Sequence, residues 1–261
     1  MQERPYEQIE LALSDGVLRI TLSRPERKNA MGPQMVNELL YALDDAKDDP
    51  DVRVVVFTGA GKAFCAGGDL KQMSGGGDGP ELEPKGDYAD LLLRFTTLHK
   101  PTVARVNGVA MGGGLGIVAA CDFALAAESA KMGTPEIKRG LFPMMIMAVL
   151  MRTVSRRPLL EMMLLGDKLT AADAARVELI NRAVPDETLD AEVDALTAKL
   201  SAQSPTAMRM GLAAWHHQAD QDLADAVPWL QTQLFAILGT EDAREGLTAF
   251  FEKRAPQWTG R

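Results

Sequence analysis

The sequence predicts an α/β fold built around parallel strands, and three observations carry this prediction. The 261 residues are 46% hydrophobic and 25% charged, which is the balance of a globular protein with a sizeable core. Buried strand patterns alternate with helix patterns through the first half of the chain, as they do in βαβ units. No apolar run is long enough to span a membrane, since even residues 141–151 are bounded by Arg139 and Arg152.

The elements of the first half follow one another in a regular order. Residues 9–13 and 17–22 predict a hairpin, because Ser14-Asp15-Gly16 between them is a turn signal. Residues 33–47 predict a helix that begins at a proline and presents apolar side chains on one face. Buried strands are predicted at residues 52–57, 102–106 and 123–126.

After about Pro143 the sequence predicts helices and no further strand. These helices are predicted at residues 144–154, 159–165, 171–176, 189–203, 205–219, 223–238 and 242–253. We expect one domain, with residues 1–190 as the core that carries the site and residues 191–261 as a helical region. The glycine-rich run at residues 74–80 predicts a flexible surface segment.

Charge and cysteine content exclude several classes of protein. The 28 Lys and Arg residues against 36 Asp and Glu residues give a net charge of −8. Such a chain has no bulk positive field, so we expect neither nucleic acid nor a membrane as partner. Cys65 and Cys121 cannot form a disulfide framework, and the first ten residues lack the regions of a signal peptide. A cytoplasmic protein is therefore predicted.

Two glycine-rich turns follow predicted strands. The first spans residues 59–70, and the second spans residues 107–116 ahead of an apolar helix. Glycine lets a ligand approach the backbone closely and leaves peptide N–H groups unpaired, and a helix dipole adds partial positive charge. Two such N–H groups aimed at one point would bind an oxyanion. The alternative is that these glycines only serve tight turns and close packing.

Other uses of these motifs do not match the sequence. Gly61-Lys62 is followed by Ala63, which breaks the phosphate-loop pattern, and residues 112–116 lack the spacing of a dinucleotide fingerprint. His216 and His217 are adjacent, so on a helix they point about 100° apart and cannot share a metal ion. No serine elbow and no histidine-activated cysteine is recognisable. We expect neither a metal site nor covalent catalysis.

Five motifs occur in order along nearly the whole chain. They are Arg24-Pro25-Glu26-Arg27-Lys28-Asn29-Ala30, Ala63-Phe64-Cys65-Ala66-Gly67-Gly68-Asp69-Leu70, Asn107-Gly108 to Gly114, Thr134-Pro135-Glu136, and Glu245-Gly246-Leu247-Thr248-Ala249-Phe250-Phe251-Glu252-Lys253-Arg254. Each motif alone is modest, but the ordered set resembles the crotonase superfamily, whose members include enoyl-CoA hydratases and isomerases.

The resemblance implies a spiral of ββα turns with a C-terminal helical region that mediates trimers, often paired into hexamers. It implies an acyl-CoA thioester as substrate, with coenzyme A as part of that substrate and no separate cofactor. The thioester carbonyl would bind in an oxyanion hole formed by the backbone N–H groups of Gly68 and Gly113. Loss of one donor from such a hole typically lowers the rate by about 10²–10³.

The resemblance also implies which residue acts as acid and base. Hydratases of the family use two glutamates; the second corresponds to Glu136, whereas the first corresponds to Gly116, which has no side chain. A further position that is acidic in some members falls on Met144. Hydration needs two groups to handle protons at two carbons, while one carboxylate can move a proton between C2 and C4 of an enolate. The sequence thus favours Δ3-to-Δ2 isomerisation, with hydration still open.

By the same resemblance, Lys28, Ala30, Ala63 and Ala66 would bind the coenzyme A moiety. Phe250 and Lys253 would reach the nucleotide of a neighbouring subunit. Met144 and Met145 are candidates for the acyl pocket because methionine adapts to irregular apolar shapes, and burial in the core or an interface is the alternative. Two other functions remain open, namely hydrolysis of the thioester with Glu136 activating water, and a CoA-ester-binding subunit with little turnover.

Overall fold

The structure is a computed structural model that describes residues 2, 4–69, 72 and 82–261. The predicted flexible run at residues 74–80 lies outside the described residues. Ten strands are described, namely β1 (Ile9–Ser14), β2 (Val17–Leu22), β3 (Val54–Gly59), β4 (Ala63–Cys65), β5 (Thr102–Val106), β6 (Val109–Met111), β7 (Phe123–Ala127), β8 (Lys131–Gly133), β9 (Leu169–Thr170) and β10 (Arg182–Val184).

The helices of the described ranges are α1 (Pro33–Asp48), α2 (Tyr88–Leu98), α3 (Gly113–Ala120), α4 (Met144–Leu150), α5 (Arg156–Leu165), α6 (Ala171–Arg176), α7 (Leu189–Ser201), α8 (Pro205–Gln218), α9 (Leu223–Leu238) and α10 (Glu241–Glu252). Short 3-10 helices lie at Pro25–Arg27, Pro135–Arg139 and Asp186–Thr188. Where the chain is described, no helix combines the length and apolarity that a membrane crossing requires.

From β3 to β8 the strands alternate between two sheets, and this alternation forms the spiral. The larger sheet has the order β1-β2-β3-β5-β7-β10, and the smaller has the order β4-β6-β8-β9. The β1–β2 hairpin is confirmed, with Ser14 paired to Val17 across the turn. All other neighbours in the larger sheet are parallel, as are β4, β6 and β8 in the smaller. The predicted parallel α/β fold is therefore confirmed.

Strand β3 is enclosed on both faces, since all six of its residues are buried. Val55 and Phe57 belong to the main hydrophobic cluster, whereas Val54 and Val56 pack in a second cluster with Val193 of α7. A strand buried on both faces is a continuous apolar run. This explains why residues 52–57 could be recognised from sequence without any alternation of polar residues.

The structure corrects the prediction at two short strands. β9 and β10 lie after Pro143, where the sequence predicts helices alone. They have two and three residues, and they pair with β8 and β7 respectively. Such segments are too short to show a strand period, so their conformation comes from the neighbouring strand and not from local preference.

The sequence analysis also did not predict helix α2 or the strands β4, β6 and β8. Helix α2 has a recognisable start, because Asp87 and Asp90 form a reciprocal capping box ahead of an apolar face. The three strands have three residues each. All four missed elements contribute to the candidate site described below.

The C-terminal helices α8, α9 and α10 pack on one another, and α8 also contacts α2. The predicted boundary between residues 190 and 191 falls inside α7, whose Leu189 and Val193 pack on the larger sheet. Large apolar side chains of α8 to α10 remain exposed, namely Trp215, Leu223, Val227, Leu234, Phe235, Leu238, Leu247, Phe250 and Phe251. An exposed apolar surface of this extent is typical of an interaction face.

One carboxylate connects α10, the start of α8 and the last residues of the chain. Asp242 is 2% exposed and accepts hydrogen bonds from Ser204 Oγ at 2.7 Å, Thr259 N at 2.8 Å and Gly260 N at 3.1 Å. Burial raises the pKa of Asp242, but these hydrogen bonds outweigh burial and lower the pKa from 3.8 to about 2.

We expect Asp242→Asn to lower the free energy of unfolding at neutral pH, because the amide can no longer accept all of these bonds. A carboxyl group whose pKa is lower in the folded state than in the unfolded state stabilises the fold at any pH above its unfolded-state pKa. This stabilisation is lost as the pH falls through the folded-state pKa. In urea unfolding, the difference in free energy of unfolding between the native protein and this variant should thus be largest above pH 3.8 and should nearly vanish by about pH 2. Asp15→Asn on the hairpin turn is the control, and a gap that stays constant with pH would contradict the prediction.

Candidate active site

Three parallel strands of the smaller sheet bring the predicted site residues together. β4 pairs with β6 through Ala63 and Val109, and β6 pairs with β8 through Met111 and Gly133. Since neighbouring parallel strands end at the same edge of a sheet, the segments that follow them are neighbours in space. These segments carry Gly68 after β4, Gly113 after β6 and Glu136 after β8.

Gly68 is held by pairing with the early turn of the chain. Met31 forms a parallel bridge with Gly68, in which Met31 N donates to Gly67 O and Asp69 N donates to Met31 O, both at 2.8 Å. This pattern directs the N–H of Gly68 itself away from Met31. Gly68 is exposed, and its N–H has no acceptor among the described residues.

Gly113 is the first residue of α3, and its N–H likewise has no acceptor in the described part of the chain. The preceding Gly112 has a φ of 49° and a ψ of −123°, and no side chain caps the helix. The first N–H groups of a helix are unpaired unless a cap or a ligand accepts from them, and the helix dipole favours an anion there. Gly113 therefore offers a donor suited to a developing oxyanion.

The two glycine turns are in contact with each other. A methyl group added at Gly67, which has a φ of 106°, would lie 3.1 Å from Met111 O and 3.9 Å from Gly112 Cα. A methyl group added at Gly114 would lie 2.5 Å from Cys65 Cβ. The absence of side chains thus lets the backbones of the two turns lie against each other.

Glu136 lies against the second glycine turn. A methyl group added at Gly112 would lie 2.7 Å from Glu136 Oε1, and Oε2 is buried without a hydrogen-bond partner among the described residues. Burial raises the pKa of Glu136, against the smaller lowering effects of its own N–H and of Arg139. A carboxylate with a raised pKa and an unpaired oxygen, lying against the turn that carries the Gly113 N–H, is suited to proton transfer.

Gly116, where hydratases have a further glutamate, faces a filled space. A methyl group added there would lie 2.2 Å from the hydroxyl of Tyr88 and 2.5 Å from Ile146 Cγ2. Tyr88 is partly buried at the start of α2, and Ile146 is buried in α4. In this conformation even the first carbon of a glutamate side chain has no room, so of the two positions where the family's hydratases have a glutamate only Glu136 carries a carboxylate.

The predicted coenzyme A residues of the N-terminal half lie together. Ala66 N donates to Lys28 O at 3.0 Å, and the side chain of Asn29 donates to Ala63 O at 2.8 Å. Ala30 belongs to the same turn, and its carbonyl accepts from Arg24 at 2.9 Å. The turn and strand β4 thus form one surface beside Gly68.

The other predicted residues lie elsewhere on the surface. Phe250 is 75% exposed on α10, and Lys253 ends that helix in the left-handed conformation. Met144 and Met145 begin α4 and are 66% and 49% exposed. Neither pair is enclosed by this single chain, and their roles stay predictions.

Cys65 is buried beneath the first glycine turn, and burial raises the pKa of its thiol to about 12. A thiol with this pKa is protonated at neutral pH and is a poor nucleophile.

Sequence reasoning missed two side chains that shape this site. Asn29 was named only as part of a turn, whereas its buried amide donates to the carbonyls of Ala60, Ala63 and Phe64. Asn29 has a φ of 56°, a conformation that asparagine tolerates better than most residues. An asparagine in the sequence is consistent with such a turn but does not by itself predict it. Tyr88 was missed because its contacts join residues that lie 25 positions apart.

Comparison with known proteins gives one consistent result. The family described as enoyl-CoA hydratase/isomerase matches residues 12–261. A Mycobacterium bovis protein named probable enoyl-CoA hydratase is 35% identical over 257 residues, covering 98% of this chain and 99% of that protein. The crystal structure of an enoyl-CoA hydratase from Mycobacterium smegmatis matches with a TM-score of 0.88 at 34% identity, covering 97% of this chain and 99% of that one.

A human protein gives the same fold at a lower identity. The crystal structure of human enoyl coenzyme A hydratase domain-containing protein 3 has a TM-score of 0.88 at 28% identity, covering 97% of this chain and all of that chain. The order of strands and helices described above is thus shared with solved crotonase-type structures along nearly the full length.

The filled space at Gly116 leads to a stability prediction. We expect Gly116→Ala to lower the free energy of unfolding by about 1–3 kcal/mol, because the new methyl group overlaps Tyr88 and Ile146. The matched control is Gly211→Ala in α8, where nothing lies within 4 Å of the added carbon. Since both glycines are helical, the control should gain up to about 1 kcal/mol from helix propensity. Equal changes in the urea unfolding of both variants would contradict this account.

Proposed function

The chain belongs to the enoyl-CoA hydratase/isomerase family and is an enzyme of that family, and from this premise we propose that it isomerises Δ3-enoyl-CoA thioesters to the Δ2 form. The observation that carries the proposal is the Glu136 carboxylate, which has a buried unpaired oxygen and lies against the turn whose Gly113 N–H has no acceptor among the described residues. The position that would hold a second carboxylate is a glycine whose side is closed by Tyr88 and Ile146.

In the proposed mechanism the thioester oxygen accepts hydrogen bonds from the N–H groups of Gly68 and Gly113. Removal of a proton from C2 moves negative charge onto that oxygen. The two donors are fixed by the fold before the reaction begins, so they stabilise the charge without reorganising. Each such donor typically contributes about 10²–10³ in rate.

Glu136 moves the proton in this mechanism. Its carboxylate takes the proton from C2, and the electron pair of that C–H bond enters the conjugated dienolate. The same carboxyl group then gives the proton to C4, which leaves the double bond between C2 and C3. Burial that raises the pKa of Glu136 supports this role, because one group must act first as base and then as acid.

Coenzyme A is proposed to bind along the surface formed by Lys28, Ala30, Ala63 and Ala66. Backbone groups of this surface are close to Gly68, which supports a pantetheine end that lies near the glycine turns. Met144 and Met145 are proposed to line the acyl end, because they precede Ile146 on the helix that closes the space beside Gly116.

We further propose that the chain assembles as a homotrimer or homohexamer. The exposed apolar side chains of α8 to α10 support this proposal, since they form the surface that an interface would bury. Phe250 and Lys253 lie on this surface and would contact the nucleotide of a bound ester in the neighbouring subunit.

We expect Glu136→Gln to lower kcat for 3-enoyl-CoA by about 10²–10⁴ while binding of the ester changes little, because the amide cannot accept the C2 proton. Calorimetry with the substrate measures binding, and Glu161→Gln on the exposed side of α5 is the control. Full activity of Glu136→Gln would remove this residue from the mechanism.

The reaction class is tested with 3-enoyl-CoA and 2-enoyl-CoA in heavy-oxygen water. Isomerisation incorporates no label at carbon, whereas hydration does, and release of free thiol would indicate hydrolysis instead. Tight binding of a broad acyl-CoA panel without any turnover would favour a binding subunit.

We expect Lys253→Glu to weaken acyl-CoA binding, and to do so more at low salt than at high salt because phosphate contacts are screened. Lys199→Glu on α7 makes the same charge change at an exposed residue without an assigned role. Sedimentation should show that both variants keep the assembly of the native protein. Unchanged affinity of Lys253→Glu at low salt would exclude this lysine from the site.

A further inference from the structure

Tyr88 contacts the second glycine turn, although the proposed mechanism gives it no role. It is the first residue of α2, where Asp87 and Asp90 form a capping box. Asp87 accepts from Ala89 N at 2.7 Å, and Asp90 accepts from Asp87 N at 2.8 Å. These local bonds fix the backbone that carries the tyrosine.

The hydroxyl of Tyr88 donates a hydrogen bond of 2.6 Å to the carbonyl oxygen of Gly113. The ring lies along the first turn of α3, since a methyl group added at Gly113 would be 3.5 Å from Tyr88 Cζ. Tyr88 is therefore in contact with the same residue whose N–H is the proposed oxyanion donor.

Gly112 is held by its N–H, which donates to Gly133 O at 3.0 Å, and by its carbonyl, which accepts from Gly116 N at 3.0 Å, and the Tyr88 hydroxyl adds a restraint at the next residue. Gly112, Gly113 and Gly114 are consecutive, and no side chain caps the start of α3. Glycine has the greatest backbone freedom of any residue, and the uncapped end of a helix frays. Gly113 O belongs to the peptide unit that follows the Gly113 N–H, so a hydrogen bond to this oxygen fixes the adjoining peptide and thereby restrains Gly113 within the first turn of the helix.

The surroundings keep the hydroxyl in its donor form. Burial raises the pKa of Tyr88 well above its ordinary value, and the nearby Cys65 and Glu136 raise it further. A neutral phenol donates one hydrogen bond, and Gly113 O receives it.

We propose that Tyr88 is a positioning residue of the active site, whose hydroxyl orders the second glycine turn so that Gly113 N–H points at the thioester oxygen. The catalytic consequence rests on the proposed function, whereas the ordering of the turn does not. The same hydroxyl occupies the space beside Gly116, so the side chain that orders the turn also closes, together with Ile146, the second carboxylate position.

The test compares Tyr88→Phe with Tyr41→Phe. Both changes remove a tyrosine hydroxyl that donates to a backbone carbonyl, since Tyr41 Oη donates to Glu83 O at 3.1 Å. Tyr41 is not part of the proposed site. We expect Tyr88→Phe to lower kcat about tenfold with KM nearly unchanged, because the oriented donor acts mainly on the charged transition state. Tyr41→Phe should leave both constants as in the native protein.

Two further measurements separate positioning from packing. The absorption maximum of bound 2,4-hexadienoyl-CoA moves to longer wavelength when its carbonyl is polarised, and this shift should be smaller in Tyr88→Phe than in Tyr41→Phe. Amide hydrogen exchange at residues 112–116 of the free protein should be faster in Tyr88→Phe alone.

The proposal would be overturned if amide exchange at residues 112–116, the absorption shift and kcat of Tyr88→Phe all equal those of the native protein, even if the variant unfolds at a lower temperature. Faster exchange at residues 112–116 in a protein that neither polarises nor converts any acyl-CoA would support the ordering of the turn and overturn the proposed function. If the native protein converts the substrate and polarises the bound acyl-CoA carbonyl, and Tyr88→Phe does both equally well, the role of Tyr88 is overturned and the proposed function stands.

Discussion

The site depends on the parallel pairing of three very short strands, β4, β6 and β8. Each has three residues, and such a sheet would not be stable alone. It is stabilised because each of these three strands follows a strand of the larger sheet along the chain, and β3 of the larger sheet is buried on both faces. The larger sheet therefore fixes the spacing of the smaller one, and the smaller one places Gly68, Gly113 and Glu136 at one edge.

Glycine serves this site in different ways at neighbouring positions. At Gly112 the missing side chain makes room for the Glu136 carboxylate, and at Gly114 it allows contact with Cys65. At Gly116 it makes room for the Tyr88 hydroxyl. The turn therefore presents the backbone N–H of Gly113, while the groups that surround it come from β4, α2 and the segment after β8.

Local patterns in the sequence predicted the parallel core, the hairpin and the two glycine turns. They could do so because long buried strands, turn residues and glycine runs are each determined by nearby residues. The same patterns could not reveal β4, β6 and β8, since three residues carry no period and pair only because their neighbours are in place. Tyr88 was also beyond reach, because its hydrogen bond to Gly113 depends on how α2 and α3 pack. For Glu136, the motif identified the residue, and the structure added the burial that raises its pKa.

The close packing at Gly116 bears on how activity could diverge within this family. A glutamate at this position overlaps both Tyr88 and Ile146, so it cannot be accommodated by one substitution while these side chains keep their places. Residues 88, 116 and 146 form an epistatic set, in which the effect of a change at one position depends on the other two. A route from one carboxylate to two would first have to pass through a smaller residue at position 88 or 146. An intermediate with a smaller residue at position 88 would lose the hydrogen bond to Gly113 O and would not yet have a second acid, so selection for activity would act against it.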